Sequence, residues 1–177
     1  MTLKNNPCIH TKLPGPIATQ YLEKEKKFVS PSSTKSYPLV VKSAKGMVVT
    51  DVDDNIFLDF TAGVAVCNTG HNHDKVIASI SSQANDLIHM SGADFYNPLQ
   101  IQLAAKLSAI CPGKQTRKTS FGNSGAESVE AAFKLARYHT KRSIVIAFYN
   151  AFHGRTMGAL SLTASKLNQR KHFLPLI

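Results

Sequence analysis

The sequence predicts an α/β protein, a sheet covered by helices. Three observations carry this. Beyond residue 60 the apolar pattern switches between helical and strand periods, in the order helix, helix, strand, helix, strand, loop, strand. Ahead of it, three short β-rich runs follow one another between turn residues. Apolar residues make up 43% of the 177, enough for one sizeable core, and 10 Gly with 8 Pro are too few for a disordered or fibrous chain.

The first residues read as an irregular arm ending in Pro14-Gly15-Pro16. A short helix follows, with Ile17, Tyr21, Leu22 and Phe28 on one side, and Ser30-Pro-Ser-Ser-Thr34 breaks it. Leu39–Val41, Gly46–Thr50 and Ile56–Phe60 read as strands. Asp51-Val-Asp-Asp-Asn55 is a turn by composition. Its carboxylates resemble a calcium loop, but Ile56 stands where that loop needs Gly and Ala62 where it needs a bidentate Glu. Thr61–His73 is expected as a loop. Residues 74–89 are expected as a helix with Val76, Ile77, Ile80, Ala84, Leu87 and Ile88 inward. Asn97-Pro98 opens another, striped by Leu103, Leu107 and Ile110 and stopped at Pro112-Gly113. Strands are expected at 117–122, 143–149 and 159–163, with a helix at 125–139 between the first two.

Composition bounds the function. No apolar run approaches the roughly 18 residues that span a membrane, and no secretory signal is visible. Cys8, Cys67 and Cys111 are too few and scattered for a disulfide framework, so a reducing cytoplasm is expected. The formal charge is +10, and residues 131–177 hold eight basic and no acidic residues. That segment faces anions, or has acidic partners elsewhere, or is a solvated basic surface. The ending, Leu174-Pro-Leu-Ile177, is apolar, and domain ends are usually polar, so the chain is expected to be a piece of something longer.

Three segments could carry chemistry. In Thr119-Ser-Phe-Gly-Asn-Ser-Gly-Ala-Glu127 a strand runs into a small-residue turn and then a strong helix, with Val129, Ala132, Phe133 and Ala136 as its buried stripe. Ser124 and Glu127 match a capping box, and Gly125 and Ala126 leave N–H groups open to an anion. A plain capped helix fits the same residues. No P-loop and no dinucleotide fingerprint is present. In Phe148-Tyr-Asn-Ala-Phe-His-Gly-Arg-Thr156, one loop offers a stacking ring, an imidazole and a guanidinium fork. Singly, each could be core, satisfied polar group or surface charge. Cys67-Asn-Thr-Gly-His-Asn-His73 reads as structural loop histidines, because a structural zinc wants four ligands in paired spacings and no second cluster exists.

Phe121-Gly-Asn-Ser-Gly-Ala-Glu-Ser-Val-Glu-Ala-Ala132 and Ile146-Ala-Phe-Tyr-Asn-Ala-Phe-His-Gly-Arg-Thr156 closely resemble class III pyridoxal-phosphate aminotransferases, as does Asp59-Phe-Thr-Ala-Gly-Val-Ala-Val-Cys-Asn-Thr-Gly-His71. The three motifs keep their order over about residues 35–170. The wording is most similar to the 4-aminobutyrate and acetylornithine aminotransferases.

The resemblance implies fold type I of the pyridoxal-phosphate transferases, a homodimer when full length, and amino-acid and 2-oxo-acid substrates. Only part of that fold is expected: residues 1–60 as the small-domain portion and 61–177 as the first part of the large domain with its mixed sheet. It implies that Ser124, Gly125 and Ala126 hold the cofactor phosphate. Phe152 stacks on the ring with His153 beside it, Arg155 clamps a substrate carboxylate, and Val64 lines the substrate pocket. Asp74 departs from the Pro common in the family after the His-x-His segment, and should cap the next helix equally well. The Schiff-base Lys and the Asp on the pyridine nitrogen are expected downstream, so the chain alone should be inactive. An amino-acid racemase of the same family is a rival reading. A basic polyanion-binding protein is another, but no nucleic-acid motif supports it.

Overall fold

The computed structural model describes residues 6–32, 35–114 and 116–177. They form two compact units, Met1–Ser91 and Gly92–Ile177.

In the first unit, α1 (Pro16–Phe28) precedes β1 (Val41–Lys45), β2 (Val48–Asp51) and β3 (Ile56–Leu58). The strands form an antiparallel meander in the order β1-β2-β3. Val49 pairs with Ala44 on one side and Phe57 on the other, and β1 is irregular between Val41 and Ser43. Ala18, Val48 and Val49 are the buried apolar residues here.

The acidic turn at 51–55 organises this unit. Its oxygens are taken by N–H groups. Asp51 Oδ1 accepts the amides of Asp53 (2.9 Å) and Asn55 (2.8 Å), and its Oδ2 accepts the Asn55 side chain (2.8 Å). Asn55 Oδ1 accepts the amides of His10 and Thr11, which fastens the N-terminal arm to the hairpin. Asp53 accepts Ile17 and Ala18 N–H, both at 2.8 Å, and so caps α1 from a distant loop. Gly15 is required there, because a Cβ would meet the Asp53 side chain. Asp51 and Asn55 are both buried.

The segment 59–73 is tied at both ends. Asp59 Oδ1 accepts Thr61 N–H (2.7 Å), the Thr61 hydroxyl (2.7 Å) and Ala62 N–H (3.0 Å), and Oδ2 meets His71 Nε2 at 2.7 Å. His71 exchanges both backbone bonds with Gly46. Between these ties, where a loop is expected, lies one helical turn, α2 (Ala62–Ala65), whose backbone is left-handed, with φ +49° to +63° across the four residues. For a non-glycine residue this conformation costs roughly 1–2 kcal/mol. Helix α3 (Asp74–Asp86) follows and ends three residues sooner than its apolar pattern predicts, because Leu87 is extended.

The second unit contains α4 (Pro98–Ile110), α5 (Gly125–Thr140), α6 (Met157–Leu162) and a 3₁₀ turn at Leu167–Gln169. Asn97 caps α4 through its side chain, as its place before Pro98 predicts. Three expectations fail. Residues 159–163 are not a strand: Met157–Leu162 is helical, with its first N–H groups held by a carboxylate from α5. Residues 117–122 and 143–149 carry no ladder, so no part of the expected large-domain sheet is seen among the described residues. A strand buried in a parallel sheet needs a neighbour on each side, and apolar alternation alone supplies none. Ile144, Ile146 and Phe148 accordingly face solvent.

The expected apolar stripes are also open. Val76, Ile77, Ile80, Leu87 and Ile88 are exposed, as are Leu103, Leu107 and Ile110, and on α5 only Phe133 of the predicted stripe is buried. The chain exposes 14849 Å², whereas two separately folded units of half its mass would together expose roughly 10,000 Å². The sequence thus writes helix faces for a larger core than these residues build.

Two outcomes follow from the first unit. Asp51→Ala leaves buried amides unpaired and should destabilise it by about 2–4 kcal/mol, seen as a lower urea midpoint with an unchanged m-value. His71 foremost, then Thr61 and Ala62, hold the Asp59 carboxyl below the usual carboxylate range. A depressed carboxylate contributes stability that is complete above its unfolded pKa, about 3.9, and is lost as pH falls through the lower folded value. Thr61 and Ala62 amide protection should therefore survive at pH 4 and disappear only in stronger acid. Asp59→Asn should abolish that dependence in an NMR pH titration.

Candidate active site

Helix α5 begins as the sequence predicts. Ser124 is its N-cap, extended at φ −152°, and its Oγ accepts Glu127 N–H at 3.2 Å. Glu127 turns back, but its carboxylate accepts the amide of Asn123, one residue before the cap. The Asn123 amide is thereby occupied, and Glu127 serves as a cap. The N–H groups of Gly125 and Ala126 open the helix, where orphan donors and the helix dipole favour an anion. A Cβ built on Gly125 would meet no atom within 4 Å, so this face is open.

The loop 152–155 lies against that helix start. A Cβ on Gly154 would stand 2.7 Å from Ala126 Cβ and 3.0 Å from both Ala126 Cα and Ala159 Cβ. With φ at +138°, the position suits glycine twice over. Thr163, fully buried, pins the loop from behind. Its Oγ1 accepts His153 N–H at 3.0 Å and lies 3.0 Å from the carbonyls of Gly154 and Ala159. Ala164 N–H donates to Ala151 C=O at 2.8 Å. Phe152, 56% exposed, stands at the surface beside half-buried His153, and Arg155 is exposed. Ser124, Gly125, Ala126, Phe152, His153 and Arg155 thus come from two adjoining segments of one unit. Val64 belongs to the first unit, on the left-handed turn, and is 89% exposed.

Two residues that the sequence reading passed over organise the site. One is Thr163. The other is Glu130 on α5, whose Oε1 accepts the Thr156 hydroxyl (2.6 Å) and the amides of Gly158 (2.9 Å) and Ala159 (3.1 Å). The Thr156 hydroxyl above all, and then those amides, hold the Glu130 carboxyl below its ordinary range, against its partial burial. The available signal is weak: a carboxylate one turn beyond the cap and a run of small residues at 158–159.

Other candidates resolve locally. His71 is engaged by Asp59, and among the described residues no three His, Cys, Asp or Glu side chains gather as a metal site. Cys8, Cys67 and Cys111 are free thiols. Among the described residues no helix is long and apolar enough to cross a membrane. In the basic segment, Arg137 donates to Ser143 C=O at 3.0 and 2.7 Å and covers the Phe133 ring, and Lys141 lies over Tyr138.

A capped helix start thus adjoins an aromatic-His-Gly-Arg loop within one unit. The profile of aminotransferase class-III matches residues 29–177, and the chain belongs to that family. Among curated relatives, the alanine/serine racemase of Pyrococcus horikoshii is 36% identical over 99% of this chain and 37% of its own length. The acetylornithine aminotransferase of Methanosarcina acetivorans is 42% identical over 87% of this chain and 38% of its own. A probable 4-aminobutyrate aminotransferase of Bacillus subtilis is 39% identical over 82% and 33%. Among solved structures, an (S)-enantioselective omega-transaminase from Thermomicrobium roseum superposes with a TM-score of 0.79 at 28% identity, over 90% of this chain and 38% of that one. An ornithine aminotransferase from Toxoplasma gondii, with partial occupancy of PLP at its active site, gives 0.74 at 26% identity, over 90% of this chain and 38% of its own. The chain therefore spans somewhat over a third of the length of these relatives.

Gly154→Ala tests the packing of the two segments. The new methyl must displace Ala126 or Ala159, so the variant should lose about 1–3 kcal/mol in urea unfolding and show altered Gly125 and Ala126 amide shifts by NMR.

Proposed function

We propose that this chain is the N-terminal portion of an enzyme that uses pyridoxal 5′-phosphate to move an amino group. The donor is an ω-amino acid of the 4-aminobutyrate or acetylornithine kind, and the acceptor a 2-oxo acid such as 2-oxoglutarate. The observation that supports this best is the packing of Gly154 on Ala126, which brings the backbone of the 152–155 loop against an open helix start. The residues fit the group: open space at Gly125, a hydroxyl at Ser124, two helix-start amides and an exposed ring.

When bound, the cofactor supplies an electron sink for breaking bonds at the carbon that bears the amine. The protein groups do the rest. The Ser124 hydroxyl and the Gly125 and Ala126 amides hold the phosphate. Phe152 would stack on the ring, with His153 beside it. Arg155 takes a substrate carboxylate in its fork. In this reading residues 1–60 belong to the small domain and 61–177 to the large one. The full-length enzyme is a cytoplasmic homodimer.

The Schiff-base lysine lies in the part of the family fold that these residues do not span. Lys134 sits along α5 and Lys141 is its C-cap, and neither has the setting such a lysine needs. A racemase of the same family is the second reading, favoured by the Pyrococcus horikoshii relative, which aligns with 99% of this chain.

One experiment addresses the reading for the chain as it stands. Mixed with pyridoxal 5′-phosphate and reduced with borohydride, it should give no stable adduct at one defined lysine and no transamination of 4-aminobutyrate or acetylornithine with 2-oxoglutarate. A single reduced lysyl adduct together with turnover would overturn it.

A further inference from the structure

We propose that Glu130 is the positioning residue of the 152–155 loop: it acts through α6 to hold Phe152 and His153 at the start of α5. The inference rests on the cofactor-site reading above for its consequence, but on geometry alone for its mechanism.

The contacts close a ring. Glu130 leaves α5 and takes the Thr156 hydroxyl and the Gly158 and Ala159 amides, which fixes where α6 starts. Gly158 is part of that fit, since a Cβ there would collide with the Glu130 carboxylate. Helix α6 ends at Thr163, whose hydroxyl holds His153 N–H and reaches Gly154 C=O. Gly154 then returns to α5 at Ala126. Both ends of the ring lie on one helix, about one turn apart. Six residues of α6 are too few to hold a helix by themselves, so its place depends on the Glu130 bonds. Without them the 152–155 loop keeps Thr163 and the Gly154 contact with Ala126 but loses its second tie to α5.

The carboxylate is an acceptor here and transfers no proton. A glutamine that presents Oε1 should replace it, and an alanine should not. Thr156→Val, which removes one donor and leaves Glu130 in place, is a milder break of the same link.

Hydrogen exchange on the whole chain decides the matter without any ligand. Glu130→Ala should speed exchange at His153, Gly158 and Ala159 by about tenfold or more, with Phe133 in mid-α5 unchanged. Glu130→Gln should restore most of the protection, and Thr156→Val should fall between. Unchanged exchange at these three amides in Glu130→Ala, or no rescue by Glu130→Gln, would overturn the proposal. Should Glu130→Ala unfold α5, Thr156→Val decides by the same amides.

Binding then separates this from the cofactor reading. Glu130→Ala should weaken pyridoxal 5′-phosphate by about tenfold while leaving inorganic phosphate at Gly125 and Ala126 unaffected, because only the ester needs the placed ring. If the unmodified chain binds neither probe, the cofactor reading fails, and the exchange result still stands for or against Glu130. If Glu130→Ala weakens both probes equally, the ring contributes nothing through Glu130 and the proposal falls.

Discussion

The second unit depends on one close approach, the Gly154 backbone on Ala126. Everything that makes this region resemble a cofactor site follows from it. A capped helix start is common, and an exposed phenylalanine is commoner. At a separation that no side chain larger than hydrogen at 154 would allow, the backbone of the 152–155 loop meets that helix start. The approach needs a glycine at φ +138°, a small residue at 126 and another at 159. The sequence supplies all three.

The first unit is built on a different economy of polar groups. Asp51, Asp53 and Asn55 satisfy backbone N–H groups of the arm, α1 and their own turn. Burying such groups is tolerable because each oxygen has a donor. Asp59 does the same for the entry to the left-handed turn and adds a hydrogen bond with His71. Strained backbone persists only where its surroundings over-determine it. Here the ties from Asp59 and from Gly46 to His71 do so, and they keep Val64 at the surface.

Local features were legible in the sequence, and features made by partners were not. The helices at Pro16, Asp74, Pro98 and Gly125 could be read from periodicity and local start residues, because those signals act within one turn; Asp74, expected as a cap, is instead the first helical residue, and its carboxylate meets Lys45. Ser124 as cap, Glu127 as its companion and residues 51–55 as a turn were legible for the same reason. The 159–163 segment was misread because Gly158-Ala-Leu-Ser-Leu162 has no strong periodicity, and Glu130, twenty-eight residues away, decides its fate. The strands expected at 117–122 and 143–149 fail because a ladder belongs to a pair of strands. The open stripes on α3 and α4 carry the same lesson: their pattern encodes a cover, and these residues do not include it.

The family assignment rests on the profile match and on relatives that align with nearly the whole chain. The proposal that this piece already holds the cofactor-recognition half of the site is a separate, physical claim. Its most direct test is an NMR titration of the chain with pyridoxal 5′-phosphate, following the Gly125 and Ala126 amides and the Phe152 ring together. The account predicts that both sets of resonances move along one saturating curve, whereas inorganic phosphate moves only the amides. Shifts confined to the basic residues at 137–142, with Gly125, Ala126 and Phe152 unmoved, would contradict it.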